Sequence, residues 1–223
     1  MRQRQHIKVL WLVLFVWSVQ CVSCSEKSIP TPTSSFTNSF GMTMVSLPKG
    51  FYASKYETTQ GQFQLVMGYN PSAAIGANQP VENLQAEEAI KFCQVLTERE
   101  KEAGRLPAGY EYDLPTWSEW LYLVADAPLE GSVTPVGGKG GSNLRSPLDV
   151  GSGEINQYGI GDTRGNVSEW GKDLYNTGSH LVLGPWWNTH RKDFLRKDNK
   201  AGLLQPDSKG GEIGFRCILR KQM

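Results

Sequence analysis

Apolar and polar residues alternate from Met42 to Tyr56, MTMVSLPKGFYASKY, on both sides of a Pro-Lys-Gly turn. A period of two broken by a turn predicts a β-hairpin. The period then changes. After Glu57-Thr58-Thr59-Gln60, Phe63, Val66 and Met67 fall on one helical face, and Gly68 supplies a stop before the turn Asn70-Pro71-Ser72. A longer helix is predicted from about Ala86 to Ala103. Its apolar stripe is Ala86, Ala89, Ile90, Cys93 and Leu96, while Lys91, Glu98, Arg99, Glu100 and Lys101 are expected to face solvent. Thr116 followed three residues later by Glu119 reads as a capping box that opens a helix through about Ala125, with Trp117 and Trp120 packing inward. Residues 128–153 are rich in Gly, Pro and Ser and read as a long surface loop. Beyond Leu181–Trp187 and a polar stretch from Asn188 to Lys209, the residues Ile213 to Leu219 read as a closing strand. The pattern is α+β: two main helices, short strands and long loops.

The N-terminus lies outside this pattern. Arg2, Arg4 and Lys8 precede an apolar run from Val9 to Val19, too short to span a bilayer, which needs about twenty apolar residues. A basic segment before a short apolar one is the form of a secretory signal peptide, assigned to residues 1–24. The residues Val22-Ser23-Cys24 resemble a bacterial lipobox with Cys24 as the lipidated residue, although Cys21 stands where Leu is usual; plain cleavage nearby is the alternative. Either route predicts export, to the periplasm or, if Cys24 carries lipid, to the outer membrane. Residues 25–39, rich in Ser, Thr and Pro, read as a flexible tether. Residues 40–223 are long enough for one domain with its own core. The formal net charge is +1 and no basic run follows the signal, which argues against a nucleic-acid partner.

Candidate chemistry gathers at GIGDTRGNVSEW, residues 159–170. Gly159, Gly161 and Gly165 permit positive φ, and Asp162, Thr163, Asn166, Ser168 and Glu169 bring oxygen donors onto one tight turn running into a strand. Hard cations such as calcium take oxygen ligands of this kind; a polar turn facing water is the plainer alternative. Four cysteines are present, and past Cys21 and Cys24 only Cys93 and Cys217 remain. In an oxidising compartment they are one potential pair, and spacing alone leaves open a bridge or two buried thiols.

Several stretches resemble, in order, the motifs of the formylglycine-generating enzyme (sulfatase-modifying factor) family. Glu57 to Phe63 resembles its E-V-T-x-x-x-Y/F, Val66 to Ser72 its V-M-G-x-N-P-S, and Pro80-Val81-Glu82-Asn83 its P-V-E-N-V. Ala89 to Cys93 looks like the D-A-x-x-F/Y-C helix, and Leu114 to Trp120 like L-P-T-E-A-E-W. Gly165 to Trp170 is similar to G-N-V-W-E-W, and Gly214-Phe215-Arg216 to the closing G-F-R. The resemblance implies a C-type-lectin-like fold of the formylglycine-generating type. It also implies a disulfide between Cys93 and Cys217, and a structural calcium held by the side chains of Asp162 and Glu169 and the carbonyls of Gly165 and Val167.

The family's catalysis is not implied in the same way. Its copper ion is held by two cysteine thiolates in a segment that here reads GPWWNTHRKDF, with Thr189 and Phe194 about where the cysteines stand. Copper-thiolate chemistry is therefore not expected, and no catalytic residue is assigned. His180 and His190 with Asp193 are the donors left for a non-haem-iron site, against a plainer reading as surface histidines. Three functional classes follow. A binding or scaffold module at the cell envelope would recognise an exported protein or surface ligand through Trp186, Trp187, Asn188, His190 and Arg191, residue types that dominate recognition surfaces. The others are an oxidoreductase acting on exported proteins and a structural envelope component.

Overall fold

The computed structural model describes residues 34–124, 146–153, 155–174, 179–185, 202–203 and 213–222. The predicted hairpin is present as β2 (Thr43–Ser46) and β3 (Tyr52–Ser54), antiparallel with Val45 opposite Ala53. A short β1 (Phe36–Thr37) lies outside β2. Helix α1 (Gln60–Met67) begins at a Thr59 capping box and ends at Gly68, whose φ of 83° is left-handed. Helix α2 (Ala86–Glu102) buries Ala86, Ala89, Phe92, Cys93 and Leu96. β4 (Tyr110–Asp113) follows, then α3 (Trp117–Val124), where Glu119 accepts from the Thr116 N–H at 2.7 Å as the capping pattern predicts.

The second half supplies β5 (Ser168–Leu174), β6 (His180–Leu183), β7 (Gly202–Leu203), β8 (Ile213–Gly214) and β9 (Ile218–Lys221). One sheet has the order β1-β2-β3-β9-β4 and the other β7-β6-β5-β8. The chain's late strand β9 therefore sits between β3 and β4, with Leu219 opposite both Tyr52 and Tyr112.

Two expectations are corrected. The closing segment is two strands rather than one: β8 pairs parallel with β5, and β9 belongs to the other sheet. Between them Phe215, Arg216 and Cys217 are all fully buried, which a single alternating strand does not allow. Glu100 does not face solvent; it is 2% exposed, seven residues past Cys93 on the buried face of α2, where it accepts from the Ser39 N–H at 3.3 Å and faces Arg105 at 3.6 Å.

The main core lies between α1, α2 and the two sheets. Phe63 stacks on Phe92 at 5.5 Å, and Phe215 meets Phe92 edge-on at 5.1 Å. Trp170 of β5 is buried beside them and donates its indole N–H to the Leu84 carbonyl at 3.2 Å. Gly214 is a close-approach position: a Cβ there would meet the Val81 carbonyl oxygen at 2.5 Å. This packing fixes the G-F-R segment against β5 and so sets the position of Arg216.

Candidate functional site

The turn before β5 is built from side chains that hold the backbone rather than water. Gly159 and Gly165 take positive φ as expected, but Gly161 does not; Asp162 and Asn166 adopt the left-handed region instead, at 54° and 58°. Asp and Asn tolerate that region because their short polar side chains bond locally. The Asn166 amide accepts from the Leu148 N–H at 2.9 Å and donates to its carbonyl at 3.2 Å. The Asp162 carboxylate accepts from the N–H groups of Gly151 and Gly153. Residues 148–153 are thus tied to the turn by side chains of the turn itself.

Beneath it lies a buried ionic network. Arg216 is fully buried and donates from Nε to Glu169 Oε1 at 2.7 Å, and to the carbonyls of Ser54, Gly161 and Asp162 at 3.4, 3.2 and 3.2 Å. Glu57 reaches in from the start of α1, accepting from the Asn166 side chain at 2.7 Å and the Val167 N–H at 3.0 Å. Burial, and then the nearby carboxylates of Asp162 and Glu169, push the Glu57 carboxyl well above the usual carboxylate range. Burial also raises Glu169, against the pull of Arg216 and of the nearby Trp120 indole, which closes no hydrogen bond on Oε2. Glu169 Oε2 is buried without a hydrogen-bond partner.

Asp162, Gly165 and Val167 of the turn and Glu169 of β5 are all buried. Their fit to calcium differs from residue to residue. Three buried carboxylates, Glu57, Asp162 and Glu169, face one guanidinium, and the orphan Glu169 oxygen is what a cation would satisfy. The Asp162 carboxylate already serves two backbone donors. Arg216, Glu57 and Ser54 were not singled out from sequence as site residues. The signal for Glu57 was its position in the E-V-T-like motif, and for Arg216 its place in G-F-R.

Cys93 and Cys217 are buried side by side as thiols, with their sulfurs 3.7 Å apart. His180 is not a surface histidine: it is 8% exposed in β6, its Nδ1 lies 3.2 Å from the Gly171 carbonyl, and its ring meets Trp170 edge-on. Among the described residues no three His, Cys, Asp or Glu side chains form a metal-holding group. Cys24, Trp186, Trp187, Asn188, Thr189, His190, Arg191, Asp193 and Phe194 lie outside the described residues. Beside the turn a cleft of about 400 Å³ of mixed lining opens between Met42, Lys55, Tyr56, Glu57, Gln62 and Val150.

Similarity to known proteins agrees with this architecture. Variable protein 1 of Treponema denticola has the same fold at a TM-score of 0.68 and 20% identity, over 85% of this chain and all of that one. PvdO from Pseudomonas aeruginosa follows at 0.62 and 18%, over 86% of this chain and all of its own. A curated relative, the chaperone protein LppX of Paenibacillus barcinonensis, is 27% identical over 54% of this chain; the chain spans 61% of that protein's length. The model of the sulfatase-modifying factor enzyme 1-like domain matches residues 26–221, so the chain belongs to that family.

Proposed function

We propose that this protein is an exported binding or scaffold module of the cell envelope that keeps the family's fold without its copper chemistry. The observation that carries this is the disposition of the cysteines. Thr189 and Phe194 stand about where the family's copper-binding pair stands, and the two cysteines of the domain itself are packed against each other in the core. Neither is free to supply a thiolate to a substrate groove. Recognition is assigned to Trp186, Trp187, Asn188, His190 and Arg191, with an exported protein or surface ligand as partner. The likeness to a protein named as a chaperone supports a protein partner, and Cys24 is the proposed point of lipid attachment.

The test loads the purified protein with copper and incubates it with a cysteine-containing sulfatase-motif peptide. Mass spectrometry is expected to find the peptide unchanged. Conversion of its cysteine to an aldehyde would remove the non-catalytic reading.

Calcium is proposed as a structural ligand at the Glu169 end of the turn, supported by the orphan Oε2 and the excess of buried carboxylates. A cation bound only by the folded state stabilises it by mass action. Calcium added to chelator-treated protein is expected to raise the melting temperature by several degrees, at about 2–4 °C per kcal/mol for a chain of this size. An unchanged melting curve across millimolar calcium would sink the assignment.

A further inference from the structure

Arg164 sits in the middle of the signature turn, and its chemistry is not used by anything described so far. It is 5% exposed, and both Nε and Nη1 are buried without a hydrogen-bond partner. The contrast with Arg216 is instructive. Both guanidiniums are buried within one turn and its floor, yet Arg216 makes four hydrogen bonds, one of them also its ion pair with Glu169, while among the described residues no acceptor and no carboxylate reaches Arg164. Burial alone pushes its pKa down, with no carboxylate opposing the shift. An arginine does not escape the cost by giving up its proton, so a buried guanidinium is expected to be paired.

The backbone that carries Arg164 is held on both sides. Asp162 ties the residues before it to Gly151 and Gly153, and Asn166 ties those after it to Leu148 and Glu57. A donor fork on an anchored backbone loses little freedom when an acceptor arrives.

We propose that Arg164 anchors a carboxylate-binding site on the signature turn. A carboxylate matches the guanidinium fork with two parallel N–H···O bonds and cancels its single charge. A phosphate dianion would leave negative charge over a turn that already holds three buried carboxylates. The ligand proposed is the end of an Asp or Glu side chain of a partner, a group for which acetate is the probe. This does not depend on the tryptophan-rich surface, because Arg164 lies on a different segment.

The experiment compares wild type, Arg164→Met and Arg164→Lys by thermal unfolding, with chloride replaced by acetate or inorganic phosphate at constant ionic strength. Wild type is expected to gain about 2–4 °C in acetate. Arg164→Met is expected to show no acetate response and to melt at or above wild type in chloride, because it removes an unpaired buried charge. Arg164→Lys is expected to keep the charge and lose most of the response, lacking the fork. An Arg164→Met protein that melts below wild type in chloride would show that the chain pairs Arg164 internally, which overturns the site. An equal acetate response in wild type and Arg164→Met, or none in wild type, overturns it too. A larger response to phosphate than to acetate overturns the carboxylate assignment.

Discussion

Arg216→Met is expected to destabilise the protein by about 3–5 kcal/mol, the usual cost of breaking a buried ion pair by removing one partner. Methionine fills much of the volume, so the loss is not mainly a cavity. It strands Glu169 as a buried carboxylate and leaves the carbonyls of Ser54, Gly161 and Asp162 without the donor they share. The two parts separate by pH. Glu169 already has a raised carboxyl pKa in the folded state, and removing Arg216 takes away the influence that opposes the rise. A carboxyl raised on folding costs stability above its unfolded value near 4.5 and costs nothing below it. The deficit of the variant is therefore expected to be largest at neutral pH and to shrink as pH falls toward 4.5. Urea unfolding at several pH values measures it, and a deficit independent of pH would mean that the stranded carbonyls carry the effect.

The second large effect is expected from the neighbouring residue. The sulfurs of Cys93 and Cys217 are 3.7 Å apart in the core, 124 residues apart in sequence. Oxidation to a disulfide would stabilise the fold by about 4–5 kcal/mol in the chain-entropy model. Protein purified without reductant is expected to have lost two hydrogens by mass and to melt about 8–20 °C higher than the same protein reduced. Burial and the adjacent Cys217 raise the Cys93 thiol well above its usual range, and both sulfurs are buried, so Cys93 presents no thiolate to an oxidant in the folded reduced protein. The bridge is then expected to form before the core closes. Iodoacetamide should label neither residue in the folded reduced protein; rapid labelling would mean that the core opens. A Cys217→Ser protein as stable as wild type after oxidative purification would remove the bridge from the account.

How far the residues alone revealed this depends on the range of the interaction. The hairpin, α1, α2 and α3 were legible because their signals are local: alternation, helical spacing, the Thr116 cap, and Gly68. The signature turn was legible as a place where oxygen donors gather. Its wiring was not. Glu57 reaches Asn166 and Val167 across more than a hundred residues, and Arg216 reaches Glu169 from another segment. No periodicity encodes such pairings. Glu100 misled for a related reason: charge predicted solvent, while its position on the face of α2 places it under Ser39. The run from Ile213 to Leu219 looked like one strand because every second apolar residue was present, although its middle residues cross between sheets.

The place of β9 has a consequence for synthesis. Strands β3 and β4 are not neighbours; among the described residues they are joined to one another only through residues 218–221. A nascent chain that has made the hairpin, α1, α2, α3 and the signature turn still lacks the strand that joins β3 to β4, and it also lacks Arg216. Until that point Glu169 lacks its partner Arg216 and the aromatic cluster lacks Phe215. Closure of the first sheet therefore waits for residues 218–221, because pairings of such long sequence separation are slow and close last. A domain whose first sheet is joined across β3 and β4 by a single strand leaves its two parts apart until that strand pairs.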